Sequence, residues 1–418
     1  MSLKNNKGDL TPFDFNRPPC RQSGLLLPLI WGLSFLQAKS AGLCLDRSQM
    51  RDFKPPYLLL SAHQGPLDYA VAPLAVFPHH ANYISDMEGF AAYGKELYRK
   101  VGCIGKRRFT PDYTILRHIK KVLFDQKDIL VLFPESRHSN IGITSLISDS
   151  TARLIRYLGV PVATLSIHGS YLANPFWDES HTRKTSLTAA VSPCFKAAQT
   201  QTLAEDEIMK IIRSRLSYDE YRYQQENRIE ISFSKRAEGL HLPLYRCPEC
   251  EGEEMVSQNA ELFCRCCGSK WILTPFGKLD GPLFSHPPDW YLWQRENVER
   301  EAAADVYSFS GGVRIEALAN EKGFISLGKG RLSHTEAGFR LEGEKCLNLR
   351  GEKTLFFPTR RLESLQTEYN YRGKGPCAVL SNRDCCYYCY GEEKPLNVTK
   401  MQFAAEYFYR KQRETRNR

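Results

Sequence analysis

The chain has 418 residues, of which 42% are hydrophobic and 25% charged, a composition that excludes a disordered or fibrous protein. Its 57 lysines and arginines outnumber its 47 acidic residues and give a formal charge of +10, which suits phosphates on nucleic acid, lipid headgroups or nucleotide cofactors. This length has room for two or three domains.

The predicted compartment is the cytosol. The N-terminal residues are polar, so we expect no secretory signal. The chain has 14 cysteines, several in CxxC spacing, which favours reduced thiols and metal over disulfides.

The most apolar stretch runs from Gly24 to Leu36. It is about 13 residues long, short of the roughly 20 needed to cross a bilayer, and Pro28 interrupts it. Two interpretations stay open for this part of the N-terminal segment, residues 1–49: a helix packed on the core, or a helix lying in a membrane surface.

Residues 50–240 alternate between apolar runs and amphipathic stretches, which predicts an α/β domain with a mostly parallel sheet flanked by helices. The predicted strands are Tyr57–Ala62, Asn82–Ser85, Asp128–Phe133, Val160–Ile167 and Thr185–Val191. The predicted helices are Asp68–Val76, Lys95–Val101, Thr114–Asp125, Leu146–Leu158 and Ala204–Tyr221. In such sheets, ligands bind at the carboxyl ends of the strands.

A histidine and a carboxylate follow the first of these strands. His63 is separated from Asp68 by a Gly-Pro turn, and Asp68 stands at the predicted start of a helix. An aspartate that fixes the tautomer of a neighbouring imidazole makes that imidazole a candidate general base. The alternative for the pair alone is a helix-capping aspartate beside an unrelated histidine.

Two further segments carry charged residues to the ends of predicted elements. The segment Gly102–Arg108 has a glycine turn followed by Lys106, Arg107 and Arg108, and arginine suits bidentate phosphate contact. The segment Val131–Arg137 runs from a buried strand through Pro134 into Glu135 and Arg137. The alternatives are a solvated charge run for the first and a structural ion pair for the second.

The order His-x4-Asp, Gly-x5-Arg, Phe-Pro-Glu-x-Arg and a Val-Pro-Val strand resembles the glycerolipid acyltransferase family, most closely the 1-acylglycerol-3-phosphate (lysophosphatidate) acyltransferases. The resemblance implies that His63 is the general base and that Asp68 holds its imidazole. It also implies a substrate-phosphate segment containing Gly102 and Arg108, with Arg107 as the rival of Arg108. Glu135 and Arg137 would complete the acceptor pocket.

One departure from the family leaves the acceptor open. The family usually has Phe-Pro-Glu-Gly-Thr-Arg, whereas this chain has Phe133-Pro134-Glu135-Ser136-Arg137, which is one residue shorter. The missing residue would turn Arg137 to another side of the loop. Glycerol phosphate, lysophosphatidate and a lysolipid with an amino-acid headgroup therefore all remain as acceptors.

Residues 241–280 have the spacing of a zinc ribbon. Two CxxC pairs, Cys247 with Cys250 and Cys264 with Cys267, can converge on one tetrahedral zinc ion. Four thiolates leave no open position, so we expect a structural site; Cys266 is an alternative ligand or a spare thiol. Acidic residues in the ribbon argue against a nucleic-acid partner.

The rest of the chain predicts a Pro-rich linker, residues 281–306, and a small β-rich domain, residues 307–418, which is loosely similar to PH or GRAM modules. The predicted strands are Val313–Leu318, Phe324–Leu327, Arg331–His334, Phe339–Leu341, Thr354–Phe357 and Ala378–Leu380, and the last predicted element is a helix, Lys400–Gln412. Around Cys377, Cys385, Cys386 and Cys389 we expect a strand with buried thiols.

The predicted function is an O-acyltransferase of phospholipid synthesis that is peripheral on the cytoplasmic face of a membrane. It would move an acyl group from acyl-CoA or acyl-ACP to a lysophospholipid, as the resemblance implies. The alternative is a zinc-ribbon adaptor with a degenerate acyltransferase domain. No Gly-x-Ser-x-Gly elbow occurs, which argues against a serine hydrolase.

Overall fold

A computed structural model describes residues 8–178 and 180–417 of the chain. The first seven residues of the predicted segment 1–49 thus lie outside the described part. The described residues form an α/β domain, a four-stranded ribbon and a C-terminal antiparallel β-rich region, as the sequence predicted.

Within the described residues, the α/β domain contains seven strands and ten α-helices, besides a 3-10 helix, Ser48–Met50, and a π-helical turn, Lys121–Asp125. The strands are β1 (Cys44–Asp46), β2 (Leu58–Ser61), β3 (Ala81–Ser85), β4 (Cys103–Gly105), β5 (Ile129–Leu132), β6 (Val162–His168) and β7 (Thr188–Phe195). The helices are α1 (Leu27–Ser40), α2 (Asp68–Val76), α3 (Met87–Tyr93), α4 (Lys95–Lys100), α5 (Thr114–Lys120), α6 (Ser150–Leu158), α7 (Ser170–Ala173), α8 (Ala197–Thr202), α9 (Glu205–Leu216) and α10 (Glu220–Glu226). All five strands predicted from apolar runs are present, with ends shifted by a few residues. The predicted helix Ala204–Tyr221 is divided between α9 and α10.

The strand order is β1-β7-β6-β2-β5-β3-β4, and every neighbouring pair is parallel except β6 with β7. The buried strand β2 lies at the middle of this sheet, and alternate residues point to opposite faces. Leu58 and Leu60 pack in the cluster below α5, α6 and α9, whereas Leu59 packs in the cluster below α2. The sheet therefore separates two layers of helices, and His63 lies just beyond the carboxyl end of β2.

The ribbon contains β8 (Met255–Gln258), β9 (Glu261–Cys264), β10 (Lys270–Leu273) and β11 (Leu279–Asp280). The region predicted as a linker contains the helix α11 (Pro287–Ala303), which packs against the last helix of the chain. Its prolines occupy the first positions of the helix, where the missing N–H costs nothing, so the Pro-rich run begins a helix.

The C-terminal domain has one seven-stranded antiparallel sheet. Its strands are β12 (Phe309–Leu318), β13 (Ile325–Thr335), β14 (Gly338–Gly343), β15 (Thr354–Pro358), β16 (Gln366–Glu368), β17 (Cys377–Ser381) and β18 (Cys386–Gly391), and the helix α12 (Val398–Asn417) follows. The strand order is β15-β14-β13-β12-β18-β17-β16. The predicted strand with buried thiols is confirmed, because Cys386 and Cys389 are buried in β18.

Two runs predicted as separate strands, Phe324–Leu327 and Arg331–His334, are wrong as separate elements because they belong to β13. Of the two glycines between them, Gly328 has a φ of +87° at an irregularity in the pairing with β12, and Gly330 marks a close approach of two strands rather than a turn. A Cβ atom on Gly330 would lie 2.2 Å from the carbonyl oxygen of Glu342 on β14. Glycine is therefore required inside this strand.

The C-terminal domain docks on the α/β domain through buried arginines. Arg107 donates to the backbone carbonyls of Ala319, Arg383 and Asp384 at 2.7–2.8 Å. Arg137 donates to the carboxylate of Glu406 at 2.5 Å, and Arg295 of α11 binds the same carboxylate. Burial disfavours the ionised form of Glu406, but the charges of Arg295 and Arg137 lower the pKa of this carboxyl to about 2. Both contacts bind the C-terminal domain to segments beside the candidate site.

Candidate active site

The candidate active site is built on the turn between β2 and α2. Asp68, the first residue of α2, is fully buried, and its Oδ2 atom lies 3.2 Å from Nδ1 of His63. The same oxygen accepts hydrogen bonds from the backbone N–H groups of Gln64 at 2.6 Å and Gly65 at 3.0 Å. The turn therefore fixes the carboxylate, and the carboxylate orients the imidazole.

The other nitrogen of His63, Nε2, faces Tyr69. The phenolic oxygen of Tyr69 lies 3.3 Å from Nε2, and 48% of the Tyr69 surface is exposed. His63 itself is 5% exposed, and its ring is also covered by Phe133 and His138, whose ring centroids lie 4.3 and 4.4 Å away. An acceptor hydroxyl that replaced the Tyr69 contact could transfer its proton to Nε2.

At neutral pH the pair is in the protonation states that a general base requires. Burial, followed by the charge of Arg108, lowers the pKa of His63 to about 3, so the imidazole is neutral at neutral pH. Burial raises the pKa of Asp68 to about 6, which leaves its carboxylate ionised at pH 7. A neutral imidazole with an ionised partner on Nδ1 can accept a proton on Nε2.

Glu135 binds the backbone of the segment that carries His63. Its carboxylate accepts the backbone N–H of His63 at 2.9 Å and of Ser145 at 2.6 Å, and the hydroxyl of Tyr218 at 2.9 Å. Glu135 is 1% exposed, and burial raises its pKa to about 8. In this structure Glu135 thus joins the ends of β2 and β5 and holds the backbone of the base.

The cations expected near the acceptor lie in different environments. Arg108 pairs with Asp86 and, at 3.5 Å, with Glu368 of β16, and its side chain stays 16% exposed. Arg107 and Arg137 are instead 4% and 2% exposed and are held by the C-terminal domain. Among the three arginines of the motifs, Arg108 is therefore the one placed to act on a ligand beside His63.

The role of Gly102 is to adopt a backbone conformation that residues with a side chain avoid. Its φ angle is +98°, and a Cβ atom there would lie 2.6 Å from the carbonyl oxygen of Ala81. Its carbonyl accepts the side-chain amide of Asn82 at 2.9 Å. The glycine thus allows β4 to pair with β3, which brings Arg108 to the carboxyl edge of the sheet.

Sequence reasoning missed His138, which directly follows Arg137. Its ring centroid lies 4.4 Å from that of His63, and burial lowers its pKa well below the usual value. Asp86, the N-cap residue of α3, was also missed, although it follows the predicted strand Asn82–Ser85. A polar residue directly after a predicted parallel strand is the signal that could have identified it.

The two CxxC pairs come together in the ribbon. The ligand atoms of Cys247, Cys250, Cys264 and Cys267 all lie within 4.8 Å of one another, and this is the one such group in the part of the chain that is described. Two sulfur pairs, Cys247–Cys267 and Cys250–Cys264, are each 3.7 Å apart. Tetrahedral thiolates with metal–sulfur bonds of about 2.3 Å are about 3.8 Å apart, so the cluster could hold a metal ion.

The comparisons with known proteins concern the first domain. The family model described as Acyltransferase matches residues 44–168. A search of curated proteins finds no match. Among solved structures, the chain is similar to the 1-acyl-sn-glycerophosphate (LPA) acyltransferase PlsC from Thermotoga maritima, with 17% identity and a TM-score of 0.37, over 46% of this chain and 77% of that one.

The matched residues run from β1 to the end of β6 and contain His63, Asp68, Arg108 and Glu135. This match confirms the resemblance inferred from the four motifs. The match ends with β6, and the ribbon and the C-terminal domain lie outside it.

Proposed function

We propose that the protein is an O-acyltransferase that moves a fatty acyl group from a thioester donor to the hydroxyl of a lysophospholipid, with 1-acylglycerol-3-phosphate as the first acceptor to test. The observation that carries the proposal is the buried pair of His63 and Asp68, with Nε2 of the imidazole directed toward the partly exposed Tyr69. The proposed donor is acyl-CoA or acyl-ACP.

In the proposed reaction, His63 Nε2 takes the proton of the acceptor hydroxyl while the oxygen attacks the thioester carbonyl carbon. The carbon–sulfur bond then breaks, and the departing thiolate takes the proton from the imidazolium. A thioester is already activated, so no covalent enzyme intermediate is needed. Asp68 holds the tautomer and stabilises the transient imidazolium.

Arg108 is the proposed contact for the acceptor's phosphate. It is the cation that most affects the pKa of His63, and its guanidinium is partly exposed. Asp86 and Glu368 would share it with the acceptor, so the phosphate would meet one positive group that is already paired with two carboxylates. Gly102 and Glu135 are proposed to shape this pocket through the backbone contacts described above.

Replacing His63 with alanine is expected to reduce kcat by about 10²–10⁴-fold, since a positioned base contributes that factor. Release of CoA from acyl-CoA with lysophosphatidate measures it. His79→Ala is the matched control, because His79 lies beyond the far end of α2 and should leave the rate unchanged.

Equal rates for wild type and His63→Ala would contradict the proposal. No turnover by either protein, across a panel of thioesters and lysolipids, would favour the adaptor alternative. The use of Arg107 and Arg137 for domain docking is the observation that speaks for that alternative.

The pH dependence of kcat/KM should follow the lowered pKa of His63. A base works when unprotonated, so lowering its pKa keeps it competent at lower pH. Asp68 loses its charge below about pH 6. We therefore expect kcat/KM to hold constant from pH 8 to about 6.5 and to fall below about 6; an acid limb at pH 7 or above would contradict this assignment.

We further propose that the protein is peripheral on the cytoplasmic face of a membrane, held through α1. Leu29, Leu33 and Leu36 are 57–66% exposed and lie four and three residues apart, so they share one helix face. The opposite side of α1 packs on α2, and Trp31 contacts Phe77, the residue that follows α2. No helix in the described ranges has both the length and the apolar character needed to span a bilayer.

Replacing Leu29, Leu33 and Leu36 together with glutamine is expected to weaken binding to anionic phospholipid vesicles by at least tenfold, because an interfacial helix binds through its buried apolar area. Vesicle co-sedimentation measures it. Leu349→Gln is the control, since Leu349 is 66% exposed on the C-terminal domain. Unchanged binding of the triple variant would rule out α1 as the anchor.

The metal of the ribbon is proposed to be one structural zinc ion. Elemental analysis should find about one zinc per chain, and Cys264→Ser should remove it and lower the thermal stability. Cys266→Ser should keep the zinc, because Cys266 is exposed and lies outside the four-cysteine cluster. Loss of zinc in Cys266→Ser, or no zinc in the wild type, would overturn this ligand set.

A further inference from the structure

A cavity of about 650 Å³ lies between the α/β domain and the C-terminal domain. Its floor contains Ile115 and Ile119 of α5, Leu132 of β5 and Leu154 of α6. This volume is in the range of sites for drug-sized ligands. Lys106, Pro134 and Ser136 of the motif segments line it, but none of the roles given to those segments above accounts for a cavity of this size.

The cavity is on the face of the sheet opposite α1. Its floor residues pack with Leu58 and Leu60 of β2, whereas α2, which carries α1, packs with Leu59. A lipid held at α1 would therefore approach His63 from one face, and a water-soluble substrate could approach from the other.

The cavity also comes close to the turn between β2 and α2, which carries His63. Pro134 and Ser136 line it, and the carboxylate of Glu135, between them, accepts the backbone N–H of His63 at 2.9 Å. Thr110, Ser136 and Ser148, each with a hydroxyl group, line the cavity together with the apolar residues of its floor. Such a lining suits an extended chain that carries amide groups, because the hydroxyls can bond the amides.

The outer rim is cationic and is assembled from two domains. Arg153 comes from α6, and Arg360 and Arg361 come from the short 3-10 helix Thr359–Arg361 of the C-terminal domain. All three are exposed, and within the described residues none forms an ion pair. Lys106, Asp112 and Glu363 also line the cavity, so its lining has four cations and two carboxylates.

Two aromatic rings lie at the same rim. Tyr113 is 75% exposed and Tyr157 is 57% exposed, and both line the cavity. Exposed rings of this kind can stack on a nucleobase. Cations and aromatic rings around one opening are the chemistry that binds a nucleotide.

We propose that this cavity is the donor site: it holds the phosphopantetheine arm of the thioester, with the phosphates on Arg153, Arg360 and Arg361. This inference rests on the proposed acyl transfer and gives the C-terminal domain a direct part in it. The arm is extended and carries amides that the hydroxyls of the lining can bond. The tyrosines favour coenzyme A over a carrier protein, since only coenzyme A has an adenine.

The test compares full-length wild type with the double variant Arg360→Ala/Arg361→Ala. Calorimetry with coenzyme A should show affinity at least tenfold weaker in the variant, because two of the three cations that would bind the phosphates are removed. Binding of pantetheine, which has no phosphate, should be equal in both proteins. Arg314→Ala/Arg331→Ala is the matched control, because these exposed arginines lie on β12 and β13.

The same proteins are titrated with phosphopantetheinylated acyl carrier protein, which separates the two sources of the phosphate. Tighter binding of either donor to the wild type than to Arg360→Ala/Arg361→Ala supports the site. Equal binding of both donors by wild type and variant, or no binding of either by the wild type, overturns it. Because binding is measured without turnover, failure of the donor site is distinguished from absence of acyl transfer.

Discussion

The buried carboxylate of Asp68 is the interaction on which the site depends. An ionised group without water must be held by donors, and here the backbone of the turn provides them through Gln64 and Gly65. The turn is tight, since a Cβ atom on Gly65 would lie 3.2 Å from the carbonyl oxygen of Ser170. The same carboxylate then fixes His63, so the geometry of the base follows from the geometry of a short segment.

The C-terminal domain changes what the arginines of the motifs can do. Arg107 and Arg137 satisfy backbone carbonyls and a buried carboxylate across the domain boundary. Removing one partner of such a buried contact is costly, so these residues hold the domains together. Arg108 keeps partial exposure, and this difference in burial separates the cation near the base from the two that support the fold.

The strands, the turn and the cysteine cluster could be predicted from the sequence because each depends on local signals. The run Tyr57–Ala62 is short and apolar, and the bounds Asp68–Val76 match α2 because an aspartate and a Gly-Pro turn precede it. The partners of Arg107 could not be predicted, because they lie more than 200 residues away in the chain and are backbone carbonyls without a sequence signal. The continuity of β13 through Gly330 could not be predicted, because the sequence does not distinguish a glycine required by close packing from a glycine required by a turn.

The central claim is that Asp68 holds His63 with its proton on Nδ1 and with Nε2 free to accept another. Nitrogen-15 NMR of the histidine rings at pH 7, with His63→Gln to assign the signal, measures this directly. The expected signal is that of a neutral imidazole protonated at Nδ1, which stays neutral down to about pH 5. A ring protonated at Nε2, or one that titrates near 6.5 as a free histidine does, would contradict it.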